Sequence, residues 1–285
     1  MNTSHHTISG QAKKAGVIGW PVGHSKSPAL HGFWLNEYKI DGAYVPMAVK
    51  PDALAAALYA LPVLGFVGVN LTVPHKEAAM GLVDEISDVA KSIGAINTIF
   101  VRADGRLQGT NTDAFGFMEN LLQNHAGFDA TRGPCVVLGA GGAARAVCAA
   151  MIAAGCPEVI VVNRTLARGQ ALAHHFGPTV KAVEWSKLNV AMSEAALLVN
   201  TTTLGMIGRP ALELDLSPLS KTALVTDLVY SPLETGLLAA AKRRANPTID
   251  GLGMLLYQAQ AGFEGWFGVK PAVTAAVRAH VLSPP

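Results

Sequence analysis

The chain has 285 residues, half of them hydrophobic, with 15% charged, 29 glycines and a formal net charge of +2. That length exceeds what one core organises well, so two domains are expected, and the apolar content excludes a disordered chain. Lysines and arginines are scattered rather than clustered, which argues against a nucleic-acid partner. The longest apolar run, residues 146–154, is far too short to cross a bilayer, so no membrane partner is expected either.

Residues 1–14 contain no apolar core of a targeting segment and read as a loose tail. Beyond them, short β-rich runs alternate with longer helical ones, the pattern of an α/β protein with parallel sheets. Strands are expected over 16–20, 43–49, 65–71 and 95–101, with helices over 29–38 and 52–60. A helix over 112–126 then bridges to a second series, set off by the turn-rich stretch 127–134. That series has strands over 135–138, 159–162, 180–183, 197–200 and 223–228. Two helices, 254–267 and 272–282, close it without a following strand, and the pattern alone does not say which domain they cap. Cys135, Cys148 and Cys156 form no CxxC pair and no metal spacing. They read as buried, reduced thiols of a cytoplasmic protein, with no metal expected.

In the first series, Gly16 to His31 is a strand running into a loop that holds Ser25 and Ser27. Pro28 suits the first position of a helix, which makes Ser27 the expected N-cap. Leu30, three residues on, cannot close a capping box, so the helix start keeps donors free for an anion such as a carboxylate. Ser25 has no capping duty to explain it. The run from Asn70 to Glu77 carries Thr72 and Lys76 at the end of a strand, where α/β proteins place ligand groups. Asn97 follows Gly94-Ala-Ile, and Asp113 opens the bridging helix after Asn111-Thr112.

The second series opens with a buried strand, a glycine turn and a helix. Gly139, Gly141 and Ala144 have the GxGxxA spacing of a dinucleotide site. Gly139 makes the tight turn, Gly141 lets a pyrophosphate approach the backbone, and Ala144 allows helix and strand to pack. The helix start, with Ala140, Gly142 and Ala143, offers N–H groups and a positive dipole end. The second strand ends at Asn163-Arg164-Thr165, with Arg168 one turn later. An NAD site usually has an acid here for the ribose hydroxyls. Asn163 repels nothing, Arg164 and Arg168 can bind a 2′-phosphate, and Thr165 can cap the next helix, so the cofactor is expected to be NADP(H).

Taken together, Ser25-Lys-Ser27-Pro-Ala-Leu-His, Asn70-Leu-Thr72-Val-Pro-His-Lys76, Gly94-Ala-Ile-Asn97-Thr and Asn111-Thr-Asp113 resemble the successive signatures of the shikimate dehydrogenase family. The similarity continues through Gly139-Ala-Gly-Gly-Ala, Asn163-Arg-Thr, Asp227-Leu-Val-Tyr230 and Asp250-Gly-Leu-Gly-Met-Leu-Leu-Tyr-Gln258, covering about residues 15–282. The resemblance implies an α/β fold of two domains. The substrate domain comprises 15–112 with 251–285, and a Rossmann-type NADP-binding domain comprises 113–250. Ser25 and Ser27 would bind the carboxylate of 3-dehydroshikimate or shikimate with Tyr230 near, and Thr72, Asn97, Asp113 and Gln258 would hold ring hydroxyls. Lys76 and Asp113 would form the acid–base pair. Leu228 and Gly251 would join the cofactor contacts. Thr201-Thr-Thr203 departs from the commoner family pattern near the expected nicotinamide end. The protein is expected to work as a monomer or homodimer. The alternatives are a quinate/shikimate dehydrogenase and a non-catalytic NADP-sensing module.

Overall fold

The computed structural model describes residues 8–283. The chain divides into two units: the described residues up to Thr112 together with those from Gln258 onward, and Asp113–Tyr257.

The first unit contains β1 (Lys13–Gly19), α1 (Ser27–Glu37), β2 (Gly42–Ala48), α2 (Leu54–Ala60), β3 (Phe66–Leu71), β4 (Glu85–Ile86), α3 (Asp88–Ile93), β5 (Thr98–Val101) and β6 (Leu107–Thr110). Its sheet has the order β2-β1-β3-β5-β6-β4. Strand β1 pairs in parallel with β2 and β3, whereas β5 is antiparallel to both β3 and β6. The sheet is therefore mixed: the expected parallel pairing holds for β1 with β2 and β3 and for β4 with β6, and fails only at β5. A turn with Gly105 at φ +84° joins β5 to β6, and so short a connection can only return the chain antiparallel. The tail assigned to 1–14 is also too long. Lys13 and Lys14 are the first rungs of β1, opposite Gly42 and Ala43, and the Ser9 N–H donates to Asp41 at 3.0 Å. The rest of that tail, residues 1–7, lies outside the described residues. Strands β4 and β6 escape sequence reading because they are short and carry polar residues such as Gln108 and Thr110.

The second unit runs α4 (Asp113–Asn124), β7 (Cys135–Leu138), α5 (Gly142–Ala153), β8 (Val159–Asn163), α6 (Leu166–Phe176), β9 (Val180–Glu184), α7 (Leu188–Ser193), β10 (Leu197–Asn200), β11 (Leu224–Asp227), α8 (Gly236–Arg243) and β12 (Thr248–Ile249). All six strands are parallel, in the order β12-β11-β10-β7-β8-β9. Both faces of the sheet are covered. Val137 and Val161 pack with Phe117, Met151 and Leu172 on one side, and Val136, Leu138 and Ile160 pack with Val225 and Leu238 on the other. That double burial is why these strands read as unbroken apolar runs. The chain winds outward in opposite directions from the central pair β7 and β10, so a crevice opens past their carboxyl ends.

Helix α9 (Leu252–Phe267) passes from one unit to the other, and α10 (Ala275–Leu282) ends the chain. The return to the first unit falls at Gln258 rather than at 251, because Met254 still belongs to the core of the second unit. From Gln258 on, α9 is anchored in the first unit. Trp266 Nε1 donates to the Ile99 carbonyl at 3.1 Å, and Phe263 packs edge-on against Trp34. Helix α10 lies against α1, and Trp34 Nε1 donates to the Ala272 carbonyl just ahead of it at 3.2 Å.

Candidate active site

The glycine turn sits at the crevice of the second unit. Gly139 has φ +107°, and a Cβ there would come within 2.7 Å of Thr201 Oγ1 and 3.0 Å of the Thr202 methyl. Gly141 is the N-cap of α5 and provides no side-chain cap, and a Cβ on it would meet nothing within 4 Å. The amides of Gly142 and Ala143 thus begin a helix whose first turn carries no acid, beside open space. A diphosphate fits such a cradle, drawn by the unpaired N–H groups and the helix dipole. Ala140 is buried, and Ala144 is sealed against the sheet. Gly139→Ala is expected to lower stability by roughly 1–3 kcal/mol through backbone strain and to abolish dinucleotide binding. Thermal unfolding and titration with NADP+ measure the two effects; unchanged binding would show the turn to be dispensable.

Asn163 ends β8, and its side-chain amide donates to the Thr165 carbonyl at 2.8 Å. Arg164, Thr165 and Arg168 are exposed at the start of α6. Thr165 occupies the N-cap position, as expected, but makes no side-chain cap, so its hydroxyl is not consumed by the helix. On the other side of the turn, the Thr201 hydroxyl and N–H donate to the Leu138 carbonyl at 2.7 and 3.0 Å. The Leu228 carbonyl leaves no room for a side chain at Gly251, which brings those two residues together. Tyr230 is half-buried two residues past Leu228.

In the first unit, a buried polar web links four segments. Asn97 Nδ2 donates to Thr112 Oγ1 at 3.0 Å and to Gln258 Oε1 at 3.2 Å. Asn97 Oδ1 accepts from the Thr112 N–H at 2.9 Å and from the Thr98 hydroxyl at 2.9 Å. Asn70 extends the web: its Nδ2 donates to Thr98 Oγ1 at 3.0 Å, and its Oδ1 accepts from the Tyr44 phenol at 2.6 Å. Burial raises the Tyr44 phenol well above its ordinary range, and the neighbouring Ser27 side chain opposes that rise. Sequence-distant residues, Asn97 and Gln258 above all, are therefore held in one arrangement by their own bonds. Asp113, just past Thr112, is only 4% exposed although it begins a helix, a position where an acid normally faces water. Lys76 is half-buried in the turn after β3. The Ile96 N–H donates to its carbonyl at 2.8 Å, and His75 beside it is pinned by Nε2 to the Val49 carbonyl at 2.8 Å. Thr72 is half-buried, and its N–H donates to the Ile18 carbonyl at 2.9 Å.

Two expectations about the serines need correction. Ser27 is not the N-cap: it is already the first residue of α1, Lys26 takes the cap position without a side-chain bond, and Pro28 sits one place further in. Ser25, expected to lack a local role, accepts the Ser27 N–H through its hydroxyl at 3.3 Å. Ser25 thus bonds the first amide of α1 from outside the cap position, and the Ser27 hydroxyl is not used as a cap. Sequence reasoning does not single out Tyr44, Asn200 or Asp227 as site residues. The burial of polar groups in apolar strands marks them, and Asp227 also opens one of the runs that carry the family resemblance.

His31, at the end of the serine run, is fully buried. It lies flat on Tyr44 with centroids 3.9 Å apart, and neither ring nitrogen has a hydrogen-bond partner. Burial lowers its pKa from 6.5 to about 3. The folded protein therefore binds fewer protons than the unfolded chain between those values, and stability is lost as pH falls below 6.5. The loss reaches on the order of 4 kcal/mol near pH 3. His31→Phe, which keeps a flat ring on Tyr44, is expected to flatten the fall in melting temperature between pH 6.5 and 4. An unchanged acid slope would show that another group controls it.

A glycine turn at the switch point of a doubly wound parallel sheet, with no acid where a 2′-phosphate would sit, defines a dinucleotide-dependent oxidoreductase with a separate α/β unit for its substrate. Residues 17–99 match the shikimate dehydrogenase substrate binding domain, 121–211 match shikimate / quinate 5-dehydrogenase, and 251–282 match the shikimate 5′-dehydrogenase C-terminal domain. The NADP(+) shikimate dehydrogenase of Rhodospirillum rubrum is 57% identical over 98% of this chain and 100% of its own length. The shikimate 5-dehydrogenase of Thermus thermophilus, solved with NADP(H) and shikimate, is 40% identical with a TM-score of 0.83, over 94% of this chain and 98% of that one. The quinate dehydrogenase of Corynebacterium glutamicum, solved with NAD, is 32% identical with a TM-score of 0.87, over 95% and 99%. The chain belongs to the shikimate dehydrogenase family.

Proposed function

We propose that this protein interconverts 3-dehydroshikimate and shikimate with NADP(H). The observation that carries the reading is the buried amide and hydroxyl web of Asn97, Thr98, Thr112 and Gln258. It lies in the unit that contains the match to the family's substrate binding domain. Such pre-set groups suit a polyhydroxylated ring, because hydroxyls can both donate to and accept from amides and hydroxyls held in fixed positions. Ser25 and Ser27, with Tyr230, take the carboxylate, and Thr72, Asn97, Asp113 and Gln258 take the ring hydroxyls.

When bound, NADP(H) supplies or accepts the hydride. Gly139, Ala140, Gly141, Gly142 and Ala143 form the cradle for its diphosphate, Asn163, Arg164, Thr165 and Arg168 receive the 2′-phosphate, and Leu228 and Gly251 complete its contacts. In the reducing direction, the substrate oxygen must gain a proton as the carbonyl carbon becomes tetrahedral. A lysine ammonium, charged at neutral pH, donates that proton from Lys76 Nζ, and Asp113 serves as its acid–base partner and holds a neighbouring hydroxyl.

The test is NADPH absorbance followed with shikimate and with quinate, each with NADP+ and with NAD+. Rapid shikimate oxidation with NADP+ is expected. Preferential quinate oxidation with NAD+ would move the chain to the quinate/shikimate dehydrogenases, and NADP binding without turnover would leave a sensing module. Among the described residues, no helix is long and apolar enough to cross a membrane. We read the protein as a cytoplasmic monomer or homodimer without nucleic-acid partners, which light scattering and a nucleic-acid binding assay check.

A further inference from the structure

We infer that Asp227 is a positioning residue for the cofactor: a buried carboxylate that ties the ends of β10 and β11 and the start of α8 into one clamp around the dinucleotide crevice. This rests on the cofactor reading above.

Asp227 and Asn200 are both fully buried at the carboxyl ends of adjacent central strands, directly opposite each other in the ladder. Asp227 Oδ1 accepts from Asn200 Nδ2 at 2.8 Å and from the Val229 N–H at 3.0 Å. Its Oδ2 accepts from the Thr235 hydroxyl at 2.7 Å, and that hydroxyl in turn accepts the Leu238 N–H as the cap of α8. Asn200 relays the connection into the loop that follows β10. Its Oδ1 accepts from the Thr202 N–H at 3.0 Å and the Thr202 hydroxyl at 2.7 Å, while its Nδ2 also donates to the Leu204 carbonyl at 3.2 Å. The Leu228 N–H donates to the Asn200 carbonyl at 2.9 Å.

The segments fixed in this way border the crevice. Thr201 and Thr202 are the residues a Cβ on Gly139 would strike, and the Leu228 carbonyl is the group that excludes a side chain at Gly251. One carboxylate thus sets the position of the loop facing the glycine turn and of the loop that leads to Tyr230. These donors are all neutral, and burial pushes the carboxyl up to about 6. A carboxylate is needed because it accepts all three bonds and donates none. An amide of the same shape must turn an N–H₂ toward at least one donor.

The experiment compares Asp227→Asn, Thr235→Val and Thr235→Ser, measuring the NADP+ dissociation constant by titration, kcat and KM for both substrates, and melting temperature. Asp227→Asn and Thr235→Val are expected to weaken NADP+ binding about tenfold, the factor that roughly 1.4 kcal/mol represents. At saturating cofactor, kcat should change less than threefold. Thr235→Ser, which restores the hydroxyl, should bind NADP+ as the parent does. A lowered melting temperature with unchanged NADP+ affinity would overturn the inference and leave only a structural role. Failure of Thr235→Ser to restore binding would also overturn it. Should Asp227→Asn not fold, the Thr235 pair still decides. Because binding is measured directly, a parent protein that binds NADP+ but does not oxidise shikimate would refute the proposed substrate without touching this clamp.

Discussion

Lys76→Ala is expected to lower kcat by about 10²- to 10⁴-fold, the range that positioned general acid catalysis contributes, while KM for shikimate changes only a few-fold. The turn that carries Lys76 is held by bonds of its own backbone and of the neighbouring ring. The His75 ring bonds the Val49 carbonyl, and the Lys76 carbonyl accepts the Ile96 N–H. Removing the side chain should therefore leave the backbone in place, and the melting temperature is expected to fall by a few degrees at most. Steady-state kinetics in both directions, with calorimetry as the control for folding, measure the effect. A kcat near that of the parent would remove Lys76 from the chemistry, and a large rise in KM alone would make it a binding group only.

The second large effect concerns the choice of cofactor. Arg164→Ala is expected to raise KM for NADP+ between about tenfold and a hundredfold, because a hydrogen bond to a charged group contributes roughly 1.5–3 kcal/mol. The double change with Arg168→Ala should raise it further. KM for NAD+, which lacks the phosphate, should stay within a factor of two. Both arginines are exposed at the start of α6. Part of their attraction is therefore screened by salt, and the parent's preference for NADP+ should shrink as ionic strength rises. Asn163→Asp should reverse the preference more sharply by placing a negative charge at the end of β8. It would also replace the amide that donates to the Thr165 carbonyl. Equal loss of NAD+ and NADP+ affinity in the arginine variants would show that they hold a part common to both cofactors.

Much of the second unit is legible in the sequence. Its central strands Cys135–Leu138 and Leu197–Asn200 have the expected limits, because strands buried on both faces are written as plain apolar runs. The glycine turn is legible because only glycine accepts the φ of Gly139. The first unit is less so. Its mixed sheet depends on β5 and β6, four residues each with polar members, where no period can be read. The helix cap near the serines is not legible either, because Ser25 and Ser27 offer the same hydroxyl and only the backbone decides which one the helix uses.

The chemistry available can be read straight from the residues: the strand end without an acid, the lysine and carboxylate, and the order of the motifs that reveals the family. Those are matters of residue type and local spacing. Which polar groups satisfy one another is set by the folded chain. Asn97 meets Gln258 across 161 positions of chain, Tyr44 meets Asn70, and Asp227 binds the end of β10, a loop and a helix start. The cause is burial. A hydroxyl or amide in water is content anywhere, but one removed from water must find a partner wherever the fold provides it, and that partner is set by packing rather than by sequence distance.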